Sequence, residues 1–320
     1  MLCKSMSLRA FFHEFYAAVV MESPTDSAKG KYLLALAHWE RITGDPPLDR
    51  ISAIDLATFK AGLAAAGLAV NTVRGYCDHI QWVLDQAGPP AAVRRLRTAA
   101  GLLDAVPWTK PPRRQTVKKE PTSSERIVAI YLSADNATIP RIVGITAGAW
   151  WRALISTMAS TSLRIGQLVE APYSSMYWDA ASPRLVLPAS VCRKSRSDET
   201  HPLLDVAFRD LLAIRGERAL LFPAYPQPHA KSAIFKQFHR LEKAAGLEPS
   251  PGVAFHGIRR RVLTDLAKQD PSAAQLAAGH ASFRTTLQSY VGAELLSDAL
   301  PRTELSQQLK RAWASGGSIG

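Results

Sequence analysis

Six side chains in the latter half of the chain have the types needed to break and remake a phosphodiester bond without a metal. They are Arg164, Lys194, His256, Arg259, His280 and Tyr290. A tyrosine hydroxyl can attack phosphorus and form a stable but reversible ester. Arginines suit the non-bridging oxygens, because the guanidinium fork binds phosphate bidentately and stays protonated. Fixed cations neutralise the pentavalent transition state, and a lysine or histidine can supply the proton for a departing 5′ oxygen.

Taken singly, each residue has an ordinary explanation. His256 and Arg259 stand at i, i+3 in Phe255-His256-Gly257-Ile258-Arg259-Arg260, a spacing found on many surface helices. Arg164, in Thr161-Ser162-Leu163-Arg164-Ile165-Gly166-Gln167-Leu168, could be an ion-pair partner near a buried helix start. A histidine after glycine, as in Gly279-His280, often caps a helix. A tyrosine such as Tyr290 on an amphipathic helix is usually core, and a lysine in a polar turn, such as Lys194, is usually solvated. What distinguishes the set is its occurrence together, in the order Arg, Lys, HxxR, GH, Tyr.

The elements that must position these residues are mostly helical. Phe255, Ile258, Val262 and Leu266 form an apolar stripe beside His256 and Arg259, and Leu163, Leu168 and Val169 support Arg164. A strand patch interrupts the helices. Arg184-Leu185-Val186-Leu187-Pro188, a basic turn with Arg193-Lys194-Ser195-Arg196, and Pro202-Leu203-Leu204 read as a hairpin-like unit. Toward the end, Leu295, Leu296 and Ala299, then Pro301, Leu305 and Leu309, suggest a helical tail in two pieces. Packing on its own domain is the ordinary alternative, but the tail is expected to dock on a neighbouring protomer.

The first hundred residues read as a helical bundle. Leu8–Met21 is amphipathic, and Tyr32, Leu33, Ala35, Leu36 and Trp39 mark the next helix. Ser52 with Asp55 forms a capping box ahead of Leu56, Phe59 and Leu63, and Gly67 ends that helix. Asn71-Thr72-Val73-Arg74 opens another, with Val73, Cys77, Ile80 and Val83 on one stripe. A further helix is expected over residues 91–106.

Charge is unevenly distributed. The chain of 320 residues has a formal net charge of +12, which suits a polyanionic partner, because cations meeting phosphates release condensed counterions. Residues 91–119 hold eight basic and one acidic side chain, more than half of that excess. Within them Pro107-Trp108-Thr109-Lys110-Pro111-Pro112-Arg113-Arg114 and Lys118-Lys119-Glu120-Pro121 read as an extended basic strap, since proline prevents helix there. Cys3, Cys77 and Cys192 lie far apart, with no disulfide framework, and the eight histidines lack metal-ligand spacing. No charge-free stretch reaches membrane-spanning length. Secreted disulfide scaffolds, structural zinc modules and membrane proteins are thereby disfavoured, and a cytoplasmic location is expected.

The ordered set, with Thr161-Ser162-Leu163-Arg164 as one box and Gly279-His280 through Thr285-Thr286 to Tyr290 as another, resembles the tyrosine recombinase (phage integrase) family. Leu48, Ile51, Asp55, Phe59 and Asn71-Thr72-Val73 are similar to that family's helical core-binding domain. The resemblance covers roughly residues 8–312 and fits the two-domain members. It implies a mainly α fold with a small antiparallel β patch. Residues 8–106 would be a SAM-like core-DNA-binding bundle, 107–121 a basic linker, 122–312 an integrase-type catalytic domain and 313–320 a disordered tail.

The resemblance also implies the roles. Tyr290 is the nucleophile, leaving a 3′-phosphotyrosyl bond, and Arg164 and Arg259 hold the phosphate. His256 and His280 hydrogen-bond to it, one of them assisting removal of the tyrosine proton, and Lys194 protonates the leaving oxygen. No cofactor, metal or ATP is implied. The partner is double-stranded DNA, gripped in a C-shaped clamp and contacted by Asn71, Thr72, Arg74, Arg113, Arg114, Lys118, Lys119 and Arg260. A homotetramer would act on paired sites, with DNA-bending or directionality factors as further partners and the nucleoid as location. Two alternatives share the fold: a DNA-binding protein that no longer recombines, and a type IB topoisomerase-like relaxing enzyme. Two positions depart from the family's habit. Gln167 stands where an acidic residue is common, and Ser162 where glycine is common.

Overall fold

The computed structural model describes residues 2–21, 26–91, 96–115, 121–192, 197–223, 230–249, 254–278 and 303–316. Lys118, Lys119, Lys194, His280, Tyr290 and the tail residues 293–302 lie outside them. The chain divides into two compact units, Met1–Lys118 and Lys119–Gly320.

The first unit is a helical bundle. Helix α1 (Leu8–Phe11) continues as a π-helical stretch over Phe12–Val20 and is followed by α2 (Asp26–Thr43), α3 (Ala53–Ala65) and α4 (Val70–Ala87). Leu8, Phe11, Phe12, Leu36, Trp39, Phe59, Leu63 and Val83 form its core. The expected capping box is present: Ser52 Oγ accepts from Asp55 N, and Asp55 Oδ2 accepts from Ser52 N at 2.8 Å. Gly67, with φ +75°, ends α3 in the left-handed conformation that glycine adopts freely.

The helix expected over 91–106 does not extend through residues 97–106. Residues 99–106 run without helix, and Ala100, Leu102 and Leu103 donate to Gln86 and Ala87 at the end of α4. Gly88 and Gly101 permit this return. A Cβ on Gly88 would lie 2.3 Å from Val106 Cγ2, and Gly101 has φ +66°.

Over residues 107–115 the basic strap is extended, as its prolines require, but it is fastened to the helical unit. Gln81 Nε2 donates to Pro107 O at 3.1 Å, Lys60 Nζ to Lys110 O at 3.2 Å and Arg74 to Pro112 O at 3.0 Å. The Asn71 amide brackets the main chain of Gln115, donating to its oxygen at 2.7 Å and accepting from its nitrogen at 2.9 Å.

The second unit is helical around one small sheet. Its helices are α5 (Ser124–Leu132), α6 (Ala147–Thr161), α7 (Ile165–Glu170), α8 (Asp205–Leu212), α9 (Ala230–Ala244), α10 (Ala254–Gln269), α11 (Pro271–Ala278) and α12 (Glu304–Gly316). Strands β1 (Met176–Tyr177), β2 (Arg184–Leu187) and β3 (Glu199–Pro202) form an antiparallel sheet in that order. Leu185 pairs with His201 and Leu187 with Glu199. The β2–β3 hairpin was expected and β1 was not. Leu203 and Leu204, expected in the second strand, lead instead into α8.

Helix α6 is buried along almost its whole length, with Trp150, Trp151, Leu154, Ile155 and Met158 in the core. The helix tolerates Ser156, Ser160 and Thr161 at buried positions because these three hydroxyls are hydrogen-bonded, whereas the buried Thr157 Oγ1 has no partner among the described residues. Ser156 and Thr161 donate back to Arg152 O and Thr157 O at 2.8 and 2.7 Å. Ser160 Oγ accepts from Leu204 N at 2.7 Å and donates to Pro202 O at 3.3 Å, tying α6 to the end of β3.

The expected disordered tail needs correction, because α12 runs to Gly316. Docking on a neighbouring protomer was expected for the tail, whereas residues 304–316 pack on their own unit. Leu305 and Leu309 are buried, Gln308 donates to Glu125 at 3.1 Å, and the Arg209 guanidinium lies 4.3 Å from the Trp313 ring centre. Arg261 pairs with Glu304 at the other end of α12. Among the described residues no helix is long and apolar enough to cross a membrane.

Candidate active site

The site is built on the ends of three helices in the second unit. The buried α6 ends at Ser162, which has φ +53° and ψ +17° and is fully buried. This left-handed turn sends the chain sharply into Leu163, Arg164 and α7. A Cβ disfavours this conformation, which glycine adopts freely.

Arg164 stands at the N-terminus of α7 with an extended backbone and a half-buried side chain. Its main-chain nitrogen donates to Gln167 Oε1 at 3.1 Å. Gln167 Nε2 points to Cys192 Sγ at 3.9 Å, two positions before Lys194 in sequence. Gln167 therefore caps the arginine's helix with one end of its amide and reaches the hairpin with the other.

Arg259 lies on α10, whose stripe of Phe255, Ile258, Val262 and Leu266 is buried as expected. It is itself only 4% exposed, an unusual burial for an arginine. Its guanidinium donates to the main-chain oxygen of Ser162, 97 positions earlier in the sequence. Burial pushes the Arg259 pKa down to about 10, the positive charge of Arg164 pushes it the same way, and Glu199 opposes them. It stays protonated at neutral pH. Two like charges from distant parts of the sequence thus stand close enough to oppose each other, and the Glu199 carboxylate offsets them in part.

His256, on the same helix, is exposed while Arg259 is buried, so the pair straddles the border of the packed face. Arg260 is half-buried. In the first unit, Asn71 and Thr72 are exposed on the first turn of α4, and Arg113 and Arg114 are exposed on the strap. Asn71 and Arg74 already hold strap carbonyls, and Arg74 also lies 3.5 Å from Asp78.

Sequence reasoning missed several contributors. Glu199 and His201 on β3 lie beside this charge cluster, their Oε2 and Nε2 3.4 Å apart without the alignment of a hydrogen bond. Ser160 and Cys192 link the sheet to α6 and α7. Nothing in the spacing marks these residues, because their partners are distant in sequence. Among the described residues no group of three or more His, Cys, Asp or Glu side chains could hold a metal ion.

Comparison with known proteins decides the family. The model of the phage integrase family matches residues 132–294, just over half of the chain. The chain belongs to the phage integrase family. Arg164, Lys194, His256, Arg259, His280 and Tyr290 all fall inside the matched residues. This integrase family member is a tyrosine-type site-specific recombinase.

Solved structures share its fold. A lambda integrase fragment, a dimer bound to a COC′ core site, is 18% identical with a TM-score of 0.62, covering 89% of this chain and 98% of that one. The Tn1549 transposon integrase, in complex with a circular intermediate DNA, is 14% identical with a TM-score of 0.61, covering 92% and 100%. The XerH recombinase, bound to its difH substrate, is 16% identical with a TM-score of 0.54, covering 91% and 78%. No curated protein matches the chain in sequence.

Proposed function

We propose that this recombinase cleaves one DNA strand by attack of the Tyr290 hydroxyl on a backbone phosphate. The tyrosine oxygen–phosphorus bond forms as the phosphorus–O5′ bond breaks, leaving a 3′-phosphotyrosyl ester and a free 5′ hydroxyl. Arg164 and Arg259 clamp the non-bridging oxygens, and His256 and His280 hydrogen-bond to the same phosphate. One histidine helps to remove the tyrosine proton, and Lys194 delivers a proton to O5′. A 5′ hydroxyl from the second DNA then attacks the ester and releases the tyrosine, so the bond energy is kept and ATP is not consumed.

The observation that carries this reading is the convergence of Arg164 and Arg259. Arg259 is desolvated, bound to the turn that leads into Arg164 and subject to the positive charge of Arg164, an arrangement that an anion relieves. The strap, with exposed Arg113 and Arg114 on a fixed backbone, suits the phosphates of a duplex, with Asn71, Thr72, Lys118, Lys119 and Arg260 as further contacts.

Lambda integrase is known as a tetramer bound to a Holliday junction, with a TM-score of 0.62 to this chain. By analogy the active species here is a homotetramer on two paired sites, acting at the nucleoid in the cytoplasm, with accessory DNA-bending or directionality factors choosing between outcomes.

A nicked suicide substrate carrying the element's own site tests the reading. A covalent adduct on that site alone supports a recombinase. Relaxation of any supercoiled plasmid would mark a topoisomerase-like enzyme, and binding without adduct a protein that has lost the chemistry.

A further inference from the structure

Ser162 touches two helices, α10 and α11. Its Oγ donates to the main-chain oxygen of Ala277 at 3.1 Å, near the C-terminal end of α11. Its main-chain oxygen accepts from Arg259 on α10. Two residues later in sequence comes Arg164, and two residues after Ala277 begins Gly279-His280.

The backbone at Ser162 is one that glycine enters freely and serine does not, so the position keeps a disfavoured conformation together with a side chain. That side chain is fully buried, and a buried hydroxyl is tolerated when it is hydrogen-bonded, as this one is. Strain retained at such a place points to a use for the side chain.

We propose that Ser162 is a positioning residue, whose hydroxyl fastens the end of α11 to the turn that carries Arg164 and holds Arg259. The bond fixes the spacing between the arginine pair and the end of α11, two positions before Gly279 in sequence. The proposal rests on the recombinase reading above and deepens it, since it assigns a duty to a residue that touches no substrate.

The test compares Ser162→Gly and Ser162→Ala with the wild type in single-turnover cleavage of the nicked suicide substrate. DNA affinity and the melting midpoint are measured alongside. Glycine relieves the backbone and alanine does not, so the two variants differ in stability while both lack the hydroxyl. Both are expected to cleave about 10- to 100-fold more slowly at saturating DNA, as misplacement of reacting groups by an ångström does. Their DNA affinity is expected to stay within about threefold of wild type, since Ser162 is fully buried and exposes no atom to a partner. Wild-type cleavage by Ser162→Gly would overturn the proposal, as would rates that follow the melting midpoint. A wild type that forms no adduct would overturn the recombinase reading, and this proposal with it.

Discussion

Arg259 donates from its buried guanidinium to the main-chain oxygen of Ser162, the residue that turns the chain toward Arg164. The Arg259 side chain on α10 is thereby tied to the turn that leads to Arg164 at the start of α7. A lysine at 259 would keep the charge but lose the planar fork that serves the carbonyl and a phosphate together. Arg259→Lys is expected to lower adduct formation by about 10²–10³-fold, the usual effect of removing one charge-stabilising donor. Single-turnover cleavage measures it, and a variant within about threefold of wild type would contradict the assigned role.

Gln167 fixes Arg164 from the other side. Gln167→Ala removes the oxygen that caps Arg164 N and is expected to cost about 1 kcal/mol of stability, as the loss of a helix cap does. Cleavage should slow as well. Gln167→Glu keeps an oxygen for the cap but loses the donor toward Cys192 Sγ, so its stability should lie within about 0.5 kcal/mol of wild type. Denaturant titration of both variants checks the difference.

Asp210 supplies a pH dependence. Burial raises its pKa from 3.8 to about 6, against the lowering effects of Ser156, Tyr131 and Arg152. The folded state therefore holds a proton that the unfolded state releases. The associated stability is fully present below about 3.8 and is lost as the pH rises through about 6. Asp210→Asn lacks this titration, while Tyr131 can still donate to the amide oxygen. The melting midpoint of wild type relative to Asp210→Asn should rise as the pH falls from 7 to 4, and a constant difference would contradict the assignment.

The strap should show in salt dependence. Replacing Lys110, Arg113 and Arg114 by glutamine is expected to reduce the slope of log affinity against log salt by about 2–3, near 0.9 for each phosphate that is no longer neutralised. Asn71→Ala with Arg74→Ala leaves those three charges in place but frees the strap from α4, so affinity should fall with a smaller change in slope. Fluorescence anisotropy from 50 to about 200 mM salt separates the two outcomes.

Local signals in the sequence were legible where chemistry acts over a few residues. Ser52 with Asp55, Gly67 after α3, the α10 stripe and the β2–β3 hairpin all follow from capping, left-handed glycine and periodicity. The family was legible because six residues kept their order. What was not legible depends on distant partners. The return of residues 99–106 onto α4 needs Gly88 to admit Val106. The docking of the strap needs Asn71, Arg74 and Gln81 to spend their polar groups on its carbonyls. The burial of α6 hides behind serines and threonines that read as polar until their hydrogen bonds are seen. Trp313 read as the start of a loose tail, because its stacking on Arg209 joins residues about a hundred positions apart.

The central claim is that Tyr290 becomes joined to DNA. Peptide mapping by mass spectrometry of the adduct trapped on a nicked site tests it most directly. The account predicts one modified peptide, carrying a 3′-phosphonucleotide on Tyr290, and no adduct from Tyr290→Phe. An adduct on a different residue, or one that persists in Tyr290→Phe, would contradict it.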